Sequence, residues 1–199
     1  MKFKFTRQLT TLAFFALSGC ALTGQVPIVA QVAGPDVTRL PSLYVTGLNV
    51  NVPRSLKVSE SLGYYPNGDI VWHGDASGDR YVQVENIFRG GLGQVTDQMT
   101  GDLPIEIDIE VTKFHALTPK ARYTIGGMHA ISFDLTVRNS ETGDVILPTR
   151  SIKANLRGLG GTEALMAESQ GRTQKVRIQE HLAAVILAQL TGKPYIPPA

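Results

Sequence analysis

Ile105-Glu106-Ile107-Asp108-Ile109-Glu110-Val111 alternates apolar and acidic side chains without a break. In an extended chain successive side chains point to opposite faces, so the stretch predicts a strand with one oily and one acidic face. Ile131, Phe133, Leu135 and Val137 repeat the alternation. Placing Val111 opposite Phe133 makes the two segments a hairpin and continues to His115 opposite His129, within cross-strand reach. Asn139-Ser140-Glu141-Thr142-Gly143-Asp144 then reads as a turn, and Ile152, Ala154 and Leu156 as a further strand. Solvent exposure is sufficient reason for the acidic face, although a basic partner would also suit it.

Outward from this centre the period changes. Upstream, Val84, Ile87, Phe88, Leu92, Val95 and Met99 recur at threes and fours, predicting a helix with Ser77 as its cap. Gly90, Gly91 and Gly93 weaken that helix and point to close packing on a sheet. Before it, Leu48, Val50 and Val52 alternate, with Leu56 and Val58 resuming after Pro53, as in an edge strand with a bulge. Downstream, Gly160 and Gly161 lead into a long helix capped by Thr162, with Ile178, Leu182, Val185, Ile186 and Leu190 on one face and Gly192 as its stop. The order strand-helix-strand-strand-strand-helix implies an α+β two-layer sandwich: a four-stranded mixed sheet with two helices on one face.

The chain has 199 residues, 43% hydrophobic and 18% charged, which fits one compact domain with appendages and excludes a wholly disordered or collagenous chain. A single cysteine excludes a disulfide framework and multi-cysteine zinc sites. A formal charge of +2 is too small for a nucleic-acid binder, so no nucleic-acid partner is expected. The excess lies at the start, where Lys2, Lys4 and Arg7 precede the apolar run Leu9 to Leu17. That run is too short to span a bilayer and has the layout of a secretory signal. Leu17-Ser18-Gly19-Cys20 resembles the lipobox of bacterial lipoproteins. The resemblance implies removal of residues 1–19 and acylation of Cys20 by diacylglycerol on sulfur and an acyl chain on nitrogen. No other cofactor is expected. The mature chain then carries 16 basic against 17 acidic residues, because the signal holds three bases and no acid. Several acyl chains make a stable anchor on the periplasmic side of a membrane. Ala21 after the cysteine implies, by the enterobacterial sorting pattern, the outer membrane.

Residues 20–43 form the lipidated start and a Gly/Pro-containing tether with a span of about 25 Å. Residues 44–192 form the folded domain and 193–199 a Pro-rich tail. Within the domain, Tyr64, Tyr65, Trp72 and His73 gather on a turn-rich stretch and are candidates for partner recognition. His115 and His129 are candidates for a metal site, which would need a third ligand such as Asp75 or His73. Gly158-Leu159-Gly160-Gly161-Thr162 lacks a Walker lysine and reads as a turn with a helix cap. No catalytic pair emerges from the carboxylates or from a nucleophile motif.

Val52-Pro53-Arg54-Ser55-Leu56-Lys57-Val58-Ser59-Glu60, Asp69-Ile70-Val71-Trp72-His73-Gly74-Asp75, Val111-Thr112-Lys113-Phe114-His115-Ala116-Leu117-Thr118 and Ala121-Arg122-Tyr123-Thr124-Ile125-Gly126-Gly127 together resemble an uncharacterised lipoprotein family of Rhodobacter-type alphaproteobacteria. That family implies no activity. The order of elements is also similar to that of lipopolysaccharide-assembly lipoproteins and auxiliary lipoproteins of lipid-transporting ABC systems. The expected function is a non-enzymatic accessory of an envelope complex, with an envelope protein as partner. The alternatives are a metal-dependent hydrolase using His115 and His129, or a carrier of a lipid-like ligand.

Overall fold

A computed structural model describes residues 42–96 and 99–192. Cys20, the tether up to residue 41 and the Pro-rich tail lie outside the described residues. The elements in chain order are β1 (Leu43–Asn51), β2 (Ile70–Val71), α1 (Arg80–Thr96), β3 (Leu103–His115), α2 (Pro119–Arg122), β4 (Gly127–Asn139), β5 (Val145–Lys153), β6 (Leu156–Gly158), α3 (Gly161–Ser169) and α4 (Gln174–Thr191). The architecture is α+β, with α1 and α4 packed together and sharing one apolar core with the sheet. Its six strands occupy four columns. β1 pairs parallel with the first part of β3 and β2 with its last residues, while β4 lies antiparallel to β3 and carries β5 and β6 on its other side.

The alternation of β3 holds as far as Val111: Ile105, Ile107, Ile109 and Val111 are buried, and Val111 pairs with Phe133. An irregularity between Val111 and Lys113 then shifts the register by one residue. Phe114 takes the inward position opposite Ile131, and His115 falls opposite Ala130 rather than His129. Such a bulge is favoured here because it buries a phenylalanine that strict alternation would expose.

Three other boundaries differ from the sequence reading. α1 starts at Arg80, because Asp79 Oδ1 accepts the backbone N–H groups of Tyr81 and Val82, the work assigned to Ser77. The predicted fourth strand, over Ile152, Ala154 and Leu156, breaks after Lys153, where Asn155 Oδ1 accepts the N–H of Ile131 and replaces a ladder bond. The single long helix is two, α3 and α4, separated by Gly171 at φ 76° and a fresh cap on Thr173, which accepts from Val176 N. Gly192 at φ 66° ends α4 as expected.

Gly90 and Gly91 of α1 pack on α4 rather than the sheet. A Cβ at Gly91 would stand 2.7 Å from the backbone oxygen of Gln179 in α4, whereas one at Gly93 meets nothing within 4 Å. Gly91→Ala is therefore expected to destabilise the domain by about 1–3 kcal/mol through overpacking. Gly93→Ala should stabilise it by up to about 1 kcal/mol through helix propensity. Urea midpoints of the two variants check the opposite signs.

Candidate functional site

β3 is 13 residues long and so spans about 40 Å at ~3.3 Å per residue. The chain enters at Leu43, opposite Leu103 at the start of β3, and this end is the base. The far end, the tip, gathers β2, the end of β3, α2, the start of β4, β6, α3 and the start of α4. Thr118 ties its loops together: its hydroxyl donates to Gly63 O and accepts from Ala121 N, capping α2 at Pro119.

The tip carries most of the exposed large apolar side chains among the described residues. Leu62, Tyr64 and Tyr65 come from the loop before β2, Tyr123 and Ile125 from the α2–β4 connection, Met128 from the start of β4, and Leu165 and Met166 from α3. Tyr65 is 90% exposed. Tyr64 stacks obliquely on it, lies beneath the Lys120 ammonium at 4.6 Å and accepts a hydrogen bond from Thr124. A concentration of this kind makes the tip the candidate interaction surface, since isolated monomers keep such patches small.

The six residues singled out by the sequence all lie at this end, but in different roles. Tyr64 and Tyr65 face solvent. Trp72 is fully buried, edge-on to Phe114 at 5.8 Å, and so belongs to the core rather than to a recognition surface. Its Nε1 donates to Asp75. His73 is nearly buried, its Nδ1 3.9 Å from Glu60. His115 and His129 do not meet: the bulge turns His115 to the outer face, while His129 is buried inside. Among the described residues no three His, Cys, Asp or Glu stand together as a metal cluster.

Beneath the patch runs a charged network. Arg80 is held in a two-point ion pair by Glu60 and also donates to Ala76 O and Gln83, while Lys175 bonds Asp75 at 2.8 Å. The bond from Arg80 holds the Glu60 carboxyl below its ordinary value. At Asp75 burial pushes the carboxyl up, but the bonds from Lys175 and Trp72 outweigh it and the net direction is down. His129 accepts Leu117 N–H on Nδ1, which requires an unprotonated nitrogen there. Burial, reinforced by Arg177, Arg122 and His181, lowers its pKa to about 3. Arg122, Gln174 and Arg177, which surround it, were not singled out by the sequence. The only local cues were the Thr118-Pro119 and Gly171-x-Thr173 helix starts that place them.

A second surface is the outer face of the sheet. A groove of about 400 Å³ runs over it, lined by Asn49, Arg89, Asp108, Glu110, Asp134, Arg138 and neighbours. Its charges largely satisfy one another: Asn49 donates to Glu106 and Asp108, Arg138 pairs with Asp108, and Ser151 donates to Asp134. The acidic face predicted from β3 is thus half-covered by its neighbours' amide and basic groups.

A family model described as a family of unknown function (DUF6778) matches residues 43–198. No curated protein matches the chain. Among solved structures, a candidate lipoprotein from Caulobacter crescentus is 13% identical, with TM-score 0.35, covering 54% of this chain and 80% of its own. A DUF330 protein from Xanthomonas campestris is 13% identical, with TM-score 0.40, covering 80% and 91%. An uncharacterised protein is 19% identical, with TM-score 0.36, covering 75% and 95%.

Proposed function

We propose, from the premise that the chain belongs to the family of unknown function DUF6778, that it is a lipid-anchored envelope protein whose tip docks a protein partner. The observation that carries this reading is the gathering of exposed apolar side chains at the end of β3 farthest from Leu43, where the tether joins. Acylation of Cys20 moors the chain to a membrane, the outer membrane by the sorting pattern at Ala21. Among the described residues no helix is long and apolar enough to cross a membrane. The tether confines the domain to the neighbourhood of that membrane, and β3 separates the tip from the Leu43 end by about 40 Å. Confinement to one surface raises the effective concentration for a partner there, which supplies function without catalysis. The hydrolase alternative loses the histidine pair on which it rested. The carrier alternative needs an internal space beside α1, and at Gly90 and Gly91 that helix instead admits Gln179 of α4.

A photo-reactive residue at position 65, 90% exposed at the tip, is expected to trap one discrete protein adduct in intact cells. The same probe at position 44, 52% exposed at the base, should not. Equal labelling at both positions, or none at 65, sinks the docking role. Intact-mass measurement of the same preparation reads the anchor separately, through the acyl mass on Cys20.

A further inference from the structure

Inside the tip, beside the docking patch, a cavity of about 40 Å³ is lined by His73, Gly74, Leu117, Arg122, Tyr123 and Gln174 among others. Arg122 and Gln174 also line a smaller cavity of about 10 Å³ with His129, Arg172 and Arg177. The lining of the pair is rich in hydrogen-bond donors and cationic groups. The carboxylates near it already pair with arginines: Glu168, whose Oε1 is buried, with Arg122, Glu180 with Arg172 and Glu163 with Arg157. Burial holds the Arg122 and Arg177 guanidinium groups below their ordinary values, and for Arg177 the neighbouring Arg172 and Arg157 add to it while Glu163 and Glu180 oppose it. These ion pairs match Arg122, Arg172 and Arg157 one for one, and Arg177, which donates to Arg157 O, is the further cation in this poorly hydrated setting, one that an anion relieves.

Two further observations point to a ligand. The side chain of His73 is only 9% exposed, and its Nε2 is buried with no hydrogen-bond partner. A buried polar atom left in this state is rare and calls for an occupant. Gln174, 5% exposed, is the first residue of the 18-residue helix α4, whose N-terminal N–H groups carry the positive end of its dipole.

The geometry points to a binding site for a single phosphate group, held by Arg122, His73 and the start of α4. The donors come from three separate segments, which suits the tetrahedral oxygen set of a phosphate better than a planar carboxylate. The volume admits one such group and excludes a nucleotide or sugar. The inference goes beyond the docking role and stands without it. The phosphate reaches the cavity either as a free ion or as the head group of a lipid whose chains lie on the apolar patch.

Trp72, the only tryptophan, precedes His73 and packs beneath Gly74, so its fluorescence reports on the cavity. The acylated full-length chain is titrated at constant pH with inorganic phosphate, and separately with phosphatidylglycerol or phosphatidylcholine vesicles. A saturable change with inorganic phosphate, weakened at least tenfold in Arg122→Gln and His73→Gln and unaltered in Arg138→Gln on the outer sheet face, supports a free-ion site. A saturable change with phosphatidylglycerol vesicles alone, lost in the same variants, supports the head-group source. If circular dichroism shows Arg122→Gln unfolded, His73→Gln, which adds no bulk and removes no arginine, decides. Absence of saturation with every probe, or saturation that survives the decisive variants, overturns the site.

Discussion

Acidification from pH 7.5 to 3 is expected to remove about 4–5 kcal/mol of unfolding free energy through His129 alone. Its folded pKa of about 3 lies well below the 6.5 of an unfolded histidine. Below pH 6.5 the unfolded chain binds a proton that the folded chain refuses, so stability is complete above 6.5 and drains away as pH falls toward 3. The cause is burial, with Arg177, Arg122 and His181 opposing a further charge. Protonation would also cost the bond that Nδ1 accepts from Leu117. His115 and His181, both lowered chiefly by burial, slope in the same direction. Asp75 adds a separate loss: its lowered carboxyl stabilises the fold above pH 3.8, and that contribution disappears as pH falls through the folded value. His129→Gln keeps an acceptor for Leu117 and titrates nowhere in this range. Urea melts across the pH series should show most of the slope between 6.5 and 4 removed in this variant. An unchanged slope would contradict the assignment.

Phe133→Ala is the other large effect, expected to destabilise by about 3–5 kcal/mol. Phe133 is fully buried on β4, edge-on to Phe88 of α1 at 5.3 Å, and Phe88 in turn leans on Phe114. Removing the Phe133 ring opens a cavity between the sheet and α1. The urea midpoint should drop while the dependence on denaturant stays the same, because the surface exposed on unfolding hardly changes. A loss under 1 kcal/mol would mean that the sheet and α1 can collapse onto the vacancy.

The central hairpin was legible because β3 and β4 are amphipathic over a full strand length, which fixes both face and register at Val111 and Phe133. Periodicity could not place the bulge that follows, since alternation carries no mark of a skipped residue. Phe114, out of phase with Val111, was the one local cue. β2 is two residues long and owes its existence to pairing with Phe114 and His115, a tertiary cause with no local period. The division of the last helix was written in Gly171 and Thr173 but masked by helix formers on either side. At the tip, the exposed Tyr64 and Tyr65 could be picked from composition. Trp72 could not be told from them, because the same aromatic loop supplies both core and surface. Arg122 and Gln174 gain meaning only when α2 and α4 meet, 52 residues apart in sequence.

The parallel pairing of β1 with β3 has a mechanical consequence. Under the proposed anchoring, tension on the chain before Leu43 would enter β1 there, while a partner gripping the tip would pull on β3 toward His115. The two strands are then drawn in opposite directions along their length, so the backbone bonds from Leu43 to Asn51 share the force in shear instead of unzipping one at a time.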